Sequence, residues 1–89
     1  FETKEFSPVI NQDTGFNLSI LKSSKSLITN LKFEKPTIMF SRTGKWEIMI
    51  DDFQCVLNAK DTISIPINSN VNIKIDEKEE CYLNCVTQI

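Results

Sequence analysis

Apolar and polar residues alternate along most of this chain, and the alternation comes in short blocks. Phe16, Leu18 and Ile20 share one face of a two-residue repeat, Leu27, Thr29, Leu31 and Phe33 share the next, and Trp46, Ile48 and Ile50 follow. The pattern returns in Phe53, Cys55 and Leu57, in Ile63, Ile65 and Ile67, in Val71, Ile73 and Ile75, and in Cys81, Leu83 and Cys85. Successive side chains of a strand point to opposite faces, so each block predicts a strand with one apolar face. With the less regular run Thr37 to Phe40, about eight short strands are expected, at the spacing of sandwiches and barrels.

Between the blocks lie polar stretches of turn chemistry: Ser23 to Ser26, Glu34-Lys35-Pro36, Arg42-Thr43-Gly44, Asp51-Asp52, Asn58 to Asp61, Pro66 to Asn70 and Asp76 to Glu80. Asp51-Asp52 joins Ile50 to Phe53 as a two-residue hairpin loop, a weaker signal than Asn-Gly because Asp tolerates positive φ less readily than Gly. No segment sustains a helical stripe; Leu18, Leu21 and Leu31 come nearest and lack the three-four spacing. Composition agrees, since twelve Ile, four Val and seven Thr stand against one Ala, a β-branched choice that suits a pleated surface. The 89 residues, 40% of them hydrophobic, make a single domain over 1–89 with one core.

Eight antiparallel strands in so short a chain predict an all-β jelly roll, an antiparallel β-sandwich whose two sheets bury one side of each strand. From Pro36 onward the order of signals resembles the cupin rhythm. A strand ends near Gly44, Trp46 to Ile50 and Phe53 to Leu57 form a hairpin, and Asn58-Ala59-Lys60-Asp61 leads into Ile63-Ser64-Ile65-Pro66. Lys60 departs from that rhythm, standing where cupins have Gly before Asp. A closer resemblance is carried by Phe6-Ser7-Pro8-Val9, Gly15 to Leu21, Pro36-Thr37-Ile38-Met39-Phe40 and Gly44, with Cys81 to Val86 as the last strand and Ile89 as the terminus. These segments resemble the C-terminal, cupin-like domain of type I mannose-6-phosphate isomerases. The resemblance implies a parent enzyme that uses zinc to interconvert mannose 6-phosphate and fructose 6-phosphate. That family's zinc ligands, a Gln, a Glu and two His, lie upstream of the matching segment, so none is carried onto these residues.

The chemistry of the chain itself points the same way. It contains no histidine, which removes imidazole from every catalytic or metal-binding scheme that depends on it. No catalytic, cofactor-binding or metal-ligating residue is assigned, and the expected jelly roll has no metal site. Asp51-Asp52 and Glu79-Glu80 are paired carboxylates, but each pair falls in an expected turn and is read as solvated. Cys81 and Cys85 share a strand face about 13 Å apart, too far for a disulfide, and are read as small core residues. Whether Cys55 pairs with either depends on whether their strands are neighbours. Three cysteines without dense spacing favour a reducing, cytoplasmic setting. Lys22, Lys25, Lys32 and Lys35 form a basic stretch, but the net charge is -2 and there is one arginine. A lysine-guarded sheet edge is expected rather than a nucleic-acid surface. Trp46, beside Arg42 and Lys45, is read as core. Asn17-Leu18-Ser19 matches a glycosylation acceptor but lies in an expected strand. No apolar run reaches the length of a membrane span.

Three functions are therefore expected, in this order. The first is the non-catalytic C-terminal domain of a mannose-6-phosphate isomerase, packing against the parent's catalytic domain and inactive alone. The second is a metal-free cupin that senses a ligand or dimerises within a transcription regulator. The third is a β-sandwich binding module. The chain begins at Phe1 rather than Met, which is expected of a piece of a larger protein. No nucleic acid or membrane partner is expected, and homodimerisation is open.

Overall fold

The computed structural model describes residues 7–11 and 15–88, the first of these stretches by its backbone. Phe6 and Ile89, which the isomerase resemblance uses, lie outside the described residues. Seven strands follow in order: β1 (Ser7–Asn11), β2 (Phe16–Leu31), β3 (Thr37–Ser41), β4 (Trp46–Ile50), β5 (Phe53–Leu57), β6 (Thr62–Ile65) and β7 (Val71–Gln88). Every pairing is antiparallel.

The frame is the pair of long strands, β2 and β7. Their first register joins Phe16–Ser23 to Cys81–Gln88, and their second joins Lys25–Leu31 to Val71–Asp76. The shift between the two leaves Ser24 opposite the four residues from Glu77 to Glu80. Extra residues on one strand bend it and increase its twist, so both strands leave one sheet and enter another, as at the corners of sandwiches. On one side of the bend, β1, β2, β7, β3 and β6 lie in that order; on the other, β4 and β5 extend the opposite half of β7. The result is an all-β, nearly closed antiparallel barrel of the jelly-roll kind.

This geometry accounts for the differences from the sequence pattern. Ser23 to Ser26 and Asp76 to Glu80 were expected to end strands; they bend them instead, so four expected strands are two. The strand β1 was not among the expected blocks. At the bend the alternation also changes phase. Leu21, Ser23, Ser26 and Ile28 are buried, while Leu27, at 36% exposure, points outward with Thr29. The predicted face Leu27, Thr29, Leu31 and Phe33 is therefore corrected to one beginning Ser26 and Ile28. Two inward serines need partners in an apolar interior. Ser26 Oγ donates to Ser23 Oγ, which also accepts the Lys25 N–H at 3.2 Å.

Before the bend the predicted face Phe16, Leu18 and Ile20 is likewise corrected: Leu21 and Ser23 point inward there, and Phe16 is exposed. From β3 onward most of the expected inward residues form the core, with Phe53 and Ile67 exposed. Ile28, Ile73, Ile48 and Cys55 stand in one cross-strand row. Trp46, Ile48, Met39, Ile73, Ile75, Leu83 and Cys85 are sealed from solvent. Ile50 meets Phe53 across the two-residue loop, with Asp51 at φ 51°. That residue is also fixed from β7's side: its N–H donates to Asn70 O at 2.8 Å, and its Oδ1 accepts the Asn70 N–H at 3.0 Å.

Candidate functional site: a filled interior and its exposed edges

A ligand in a barrel of this kind needs room and converging polar groups inside. Here the inward positions of β3, β4 and β7 carry Met39, Trp46, Ile48, Ile73, Ile75 and Leu83, each no more than 1% exposed. Trp46 is fully buried and donates its indole N–H to Thr43 O at 2.9 Å, so even its polar atom is satisfied within the shell. Among the described residues no group of three or more His, Cys, Asp or Glu is placed to hold a metal ion. The zinc of the isomerase resemblance asks for nitrogen and oxygen donors, and the aliphatic side chains here do not fit it.

The loop Arg42 to Lys45 is tied to β3 and β7. Ser41 Oγ donates to Gly44 O at 2.8 Å, Thr43 Oγ1 accepts the Tyr82 N–H at 2.9 Å, and the Arg42 N–H donates to Tyr82 O at 3.0 Å. Gly44 adopts φ 88°, and a Cβ there would stand 2.4 Å from Cys81 Sγ. The loop thus lies directly on β7. Beside it is a shallow depression of about 930 Å³, walled by Ser24, Lys25, Thr43 and the acidic run Asp76 to Glu80. Glu79-Glu80, expected in a turn, lie on the bulged part of β7 and are exposed. Asp51-Asp52 form the hairpin loop on the far side of the sheet.

The basic residues divide. Lys22 and Lys25 lie on the part of β2 beyond Ile20, where no described residue of β1 pairs. Lys22 forms an ion pair with Glu80 at 3.5 Å and approaches the Tyr82 ring, whose other neighbour is Arg42 at 5.2 Å from the centroid. The Tyr82 hydroxyl, then the Glu80 charge, hold the Lys22 ammonium above its ordinary pKa. Both partners of the pair are more than half exposed, so its effect on stability is small.

All three cysteines are free thiols. Cys55 is on β5, which borders β4 alone, whereas Cys81 and Cys85 are on the half of β7 that borders β2 and β3. Their strands are not neighbours, which answers the pairing question the sequence left open. Burial pushes every thiol up: Cys85 to about 11, Cys81 with help from Glu77, and Cys55 by burial alone. Asn17 is paired on both sides, to Ile10 and to Thr87, and its Oδ1 is buried. A glycan on it would have to form before folding.

What the sequence reading passed over is the outside. On the sheet of β2, β7 and β3, Leu18, Val86 and Ile38 form one outward row, and Ile20, Asn84 and Phe40 the next. Ile38 is 48% exposed. Across the bend, Leu27, Met49, Gln54 and Asn72 border a groove of about 270 Å³ on the outer face. Phe53 is 62% exposed at the start of β5, and Val56, on the opposite face of that strand, is 40% exposed. The signal was available in Phe53-Gln54-Cys55-Val56-Leu57, an uncharged run whose position at a sheet edge depends on pairings distant in sequence.

No helix among the described residues is long and apolar enough to cross a membrane. No protein-family model matches the chain, and no curated protein matches it. Solved structures do. The EutQ protein of Clostridium difficile superposes with a TM-score of 0.75 at 13% identity, over 93% of this chain and 65% of that one. The cupin domain of Cnp3 from Schizosaccharomyces pombe gives 0.76 at 13%, over 94% and 64%. A Ralstonia eutropha protein provisionally assigned as a mannose-6-phosphate isomerase gives 0.76 at 14%, over 94% and 82%. The chain spans about two thirds of the EutQ and Cnp3 chains it matches. At these identities the likeness is one of fold, and the fold of this chain is the cupin barrel.

Proposed function

We propose that the chain is a metal-free cupin-fold module that works by dimerisation within a larger regulatory protein, and that it has no catalytic activity of its own. The observation that carries this reading is the filled interior. Where a cupin barrel would hold a ligand, Trp46, Met39, Ile48 and Leu83 are sealed from solvent and offer no metal-ligating group, which supports recognition at the outer surface. That surface exposes Ile38, Phe53 and Val56, apolar side chains that a second copy could cover. The three free thiols support a reducing, cytoplasmic setting.

The non-catalytic end of a mannose-6-phosphate isomerase is the second reading. The Ralstonia likeness favours it in fold, but the matched segment makes up 82% of that chain, so the match brings no separate catalytic domain with it. Sedimentation of the 89-residue chain over the micromolar range tests the first reading. A concentration-dependent dimer is expected. A chain that stays monomeric throughout refutes dimerisation, and stoichiometric zinc retained after dialysis would refute the metal-free barrel.

A further inference from the structure

We propose that two copies of this chain pair through the open edge of β5, antiparallel and about a two-fold axis at Cys55, so that their sheets become one. This rests on the dimerisation reading and states where the dimer forms.

The open edges of the described strands are not equivalent. An uncovered strand invites pairing, and proteins guard such edges with charge, proline, bulges or short length. The strand β1 contains Pro8, and β6 has four residues and stops before Pro66. The uncovered part of β2 carries Lys22, Lys25 and the bulge at Ser24. Only β5 has none of these guards. It pairs with β4 alone and contains no charge and no proline.

Hydrogen-bond direction fixes the register. The Asp51 N–H donates toward β7, to Asn70 O, so Ile50, Ile48 and Trp46 direct their backbone groups toward β5. Their partners Phe53, Cys55 and Leu57 are thereby used on β4, and alternation points the N–H and C=O of Gln54 and Val56 to the open edge. When two copies meet about Cys55, Gln54 of each lies opposite Val56 of the other and all these groups are bonded. Cys55 then faces its own symmetry mate as a non-hydrogen-bonded pair, with about 4.5 Å between Cα atoms, inside the disulfide range of roughly 4.4–6.8 Å.

Charge and burial favour a second copy as the occupant. One end of the β4–β5 hairpin carries Asp51 and Asp52; the other carries Lys45 and Lys60, with the Asp61 carboxylate turned onto the Asn58 N–H at 3.0 Å. An antiparallel pair sets acidic end beside basic end twice. It also brings Phe53 opposite Leu57 of the other copy, on the same face of the sheet, and so covers the most exposed large apolar side chain in the described structure.

Val56→Pro is the decisive variant, because the Val56 N–H takes no part in the β4 ladder and its loss leaves the monomer's own bonds intact. Sedimentation should show dimerisation weakened by about tenfold or more, with the far-ultraviolet spectrum unchanged. Diamide, which takes two electrons and two protons from a facing pair of thiols, should link wild-type dimers through Cys55 and fail with Cys55→Ser. If the chain dimerises but Val56→Pro leaves the dimer unchanged, or Ile38→Glu abolishes it while Cys55 cannot be linked, the β5 edge is overturned and dimerisation stands. A chain that never dimerises overturns both.

Discussion

Gly44 and Lys60 occupy two turns with nearly the same backbone demand, φ 88° and 74°, and they answer it with opposite residues. Both turns are tied to β3: Ser41 Oγ donates to Gly44 O, and the Lys60 N–H donates to Ser41 O at 2.6 Å. What differs is the space behind the backbone. A Cβ at Gly44 would collide with Cys81 Sγ at 2.4 Å and Cβ at 2.6 Å, whereas Lys60 is exposed. Left-handed φ alone costs a non-glycine residue roughly 1–2 kcal/mol, which a fold can absorb. A clash with a buried strand adds to it. Lys60 therefore retains the conformation of the glycine that the cupin rhythm expects, while Gly44 has no substitute.

The largest effect should come from Gly44→Ala. It combines positive φ with overpacking against β7 and should lower stability in urea by about 2–4 kcal/mol. A loss below that of an ordinary surface substitution would break the contrast. Adding Cys81→Ala removes Sγ but leaves its Cβ, so the double variant should recover part of the loss and not all of it. The thiols behind this loop give the next effect. Cys81 and Cys85 are held above their ordinary value of 9.0 in the folded chain, Cys85 at about 11. Folding thus favours their protonated forms: the stabilisation is complete below the unfolded value and is lost as pH climbs through the folded one. Denaturation midpoints should fall between pH 9.0 and about 11, and Cys85→Ala should flatten that decline.

Smaller still is Lys60→Gly. It relieves the backbone but raises the entropy of the unfolded chain, and a net gain of up to about 1 kcal/mol is expected in the same titration. Asp51→Asn should be nearly neutral, within about 0.5 kcal/mol, since Asn tolerates left-handed φ and its side-chain oxygen still accepts from the Asn70 N–H. A large loss there would mean that the Asp51 charge, rather than its hydrogen bond, holds the hairpin to β7.

The parts of the fold visible in the sequence are those set by neighbours along the chain. The hairpin at Asp51-Asp52, the strands from Thr37 to Leu57 and the burial of Trp46 follow from alternation and turn chemistry over a few residues. The bend was not visible, because four polar residues in Glu77 to Glu80 look the same whether they reverse a chain or bulge from it. Its serines added to this: Ser23 and Ser26 are polar yet inward, and only their mutual hydrogen bond makes that burial tolerable. Once the bulge shifts the phase, Leu27 and Ile28 exchange faces, a change that no periodicity across the break can register. For the candidate site, the alternation around Trp46, Ile48 and Ile73 marked the apolar side chains that line the interior. The exposed β5 edge depends on β4 and β7 lying beside one another, a pairing that links residues far apart in sequence.

The position of β7 also constrains how the barrel comes into being. It is the last of the seven strands to leave the ribosome, yet it is the one that β2, β3 and β4 all require as a partner. Until it arrives, neither sheet has its central strand, and the apolar faces of Ile28, Ile48 and Met39 have nothing complete to close upon. Such a chain has no stable half. Its strands complete one another only once β7 is present, and folding as a unit is slow because its pairings are distant ones.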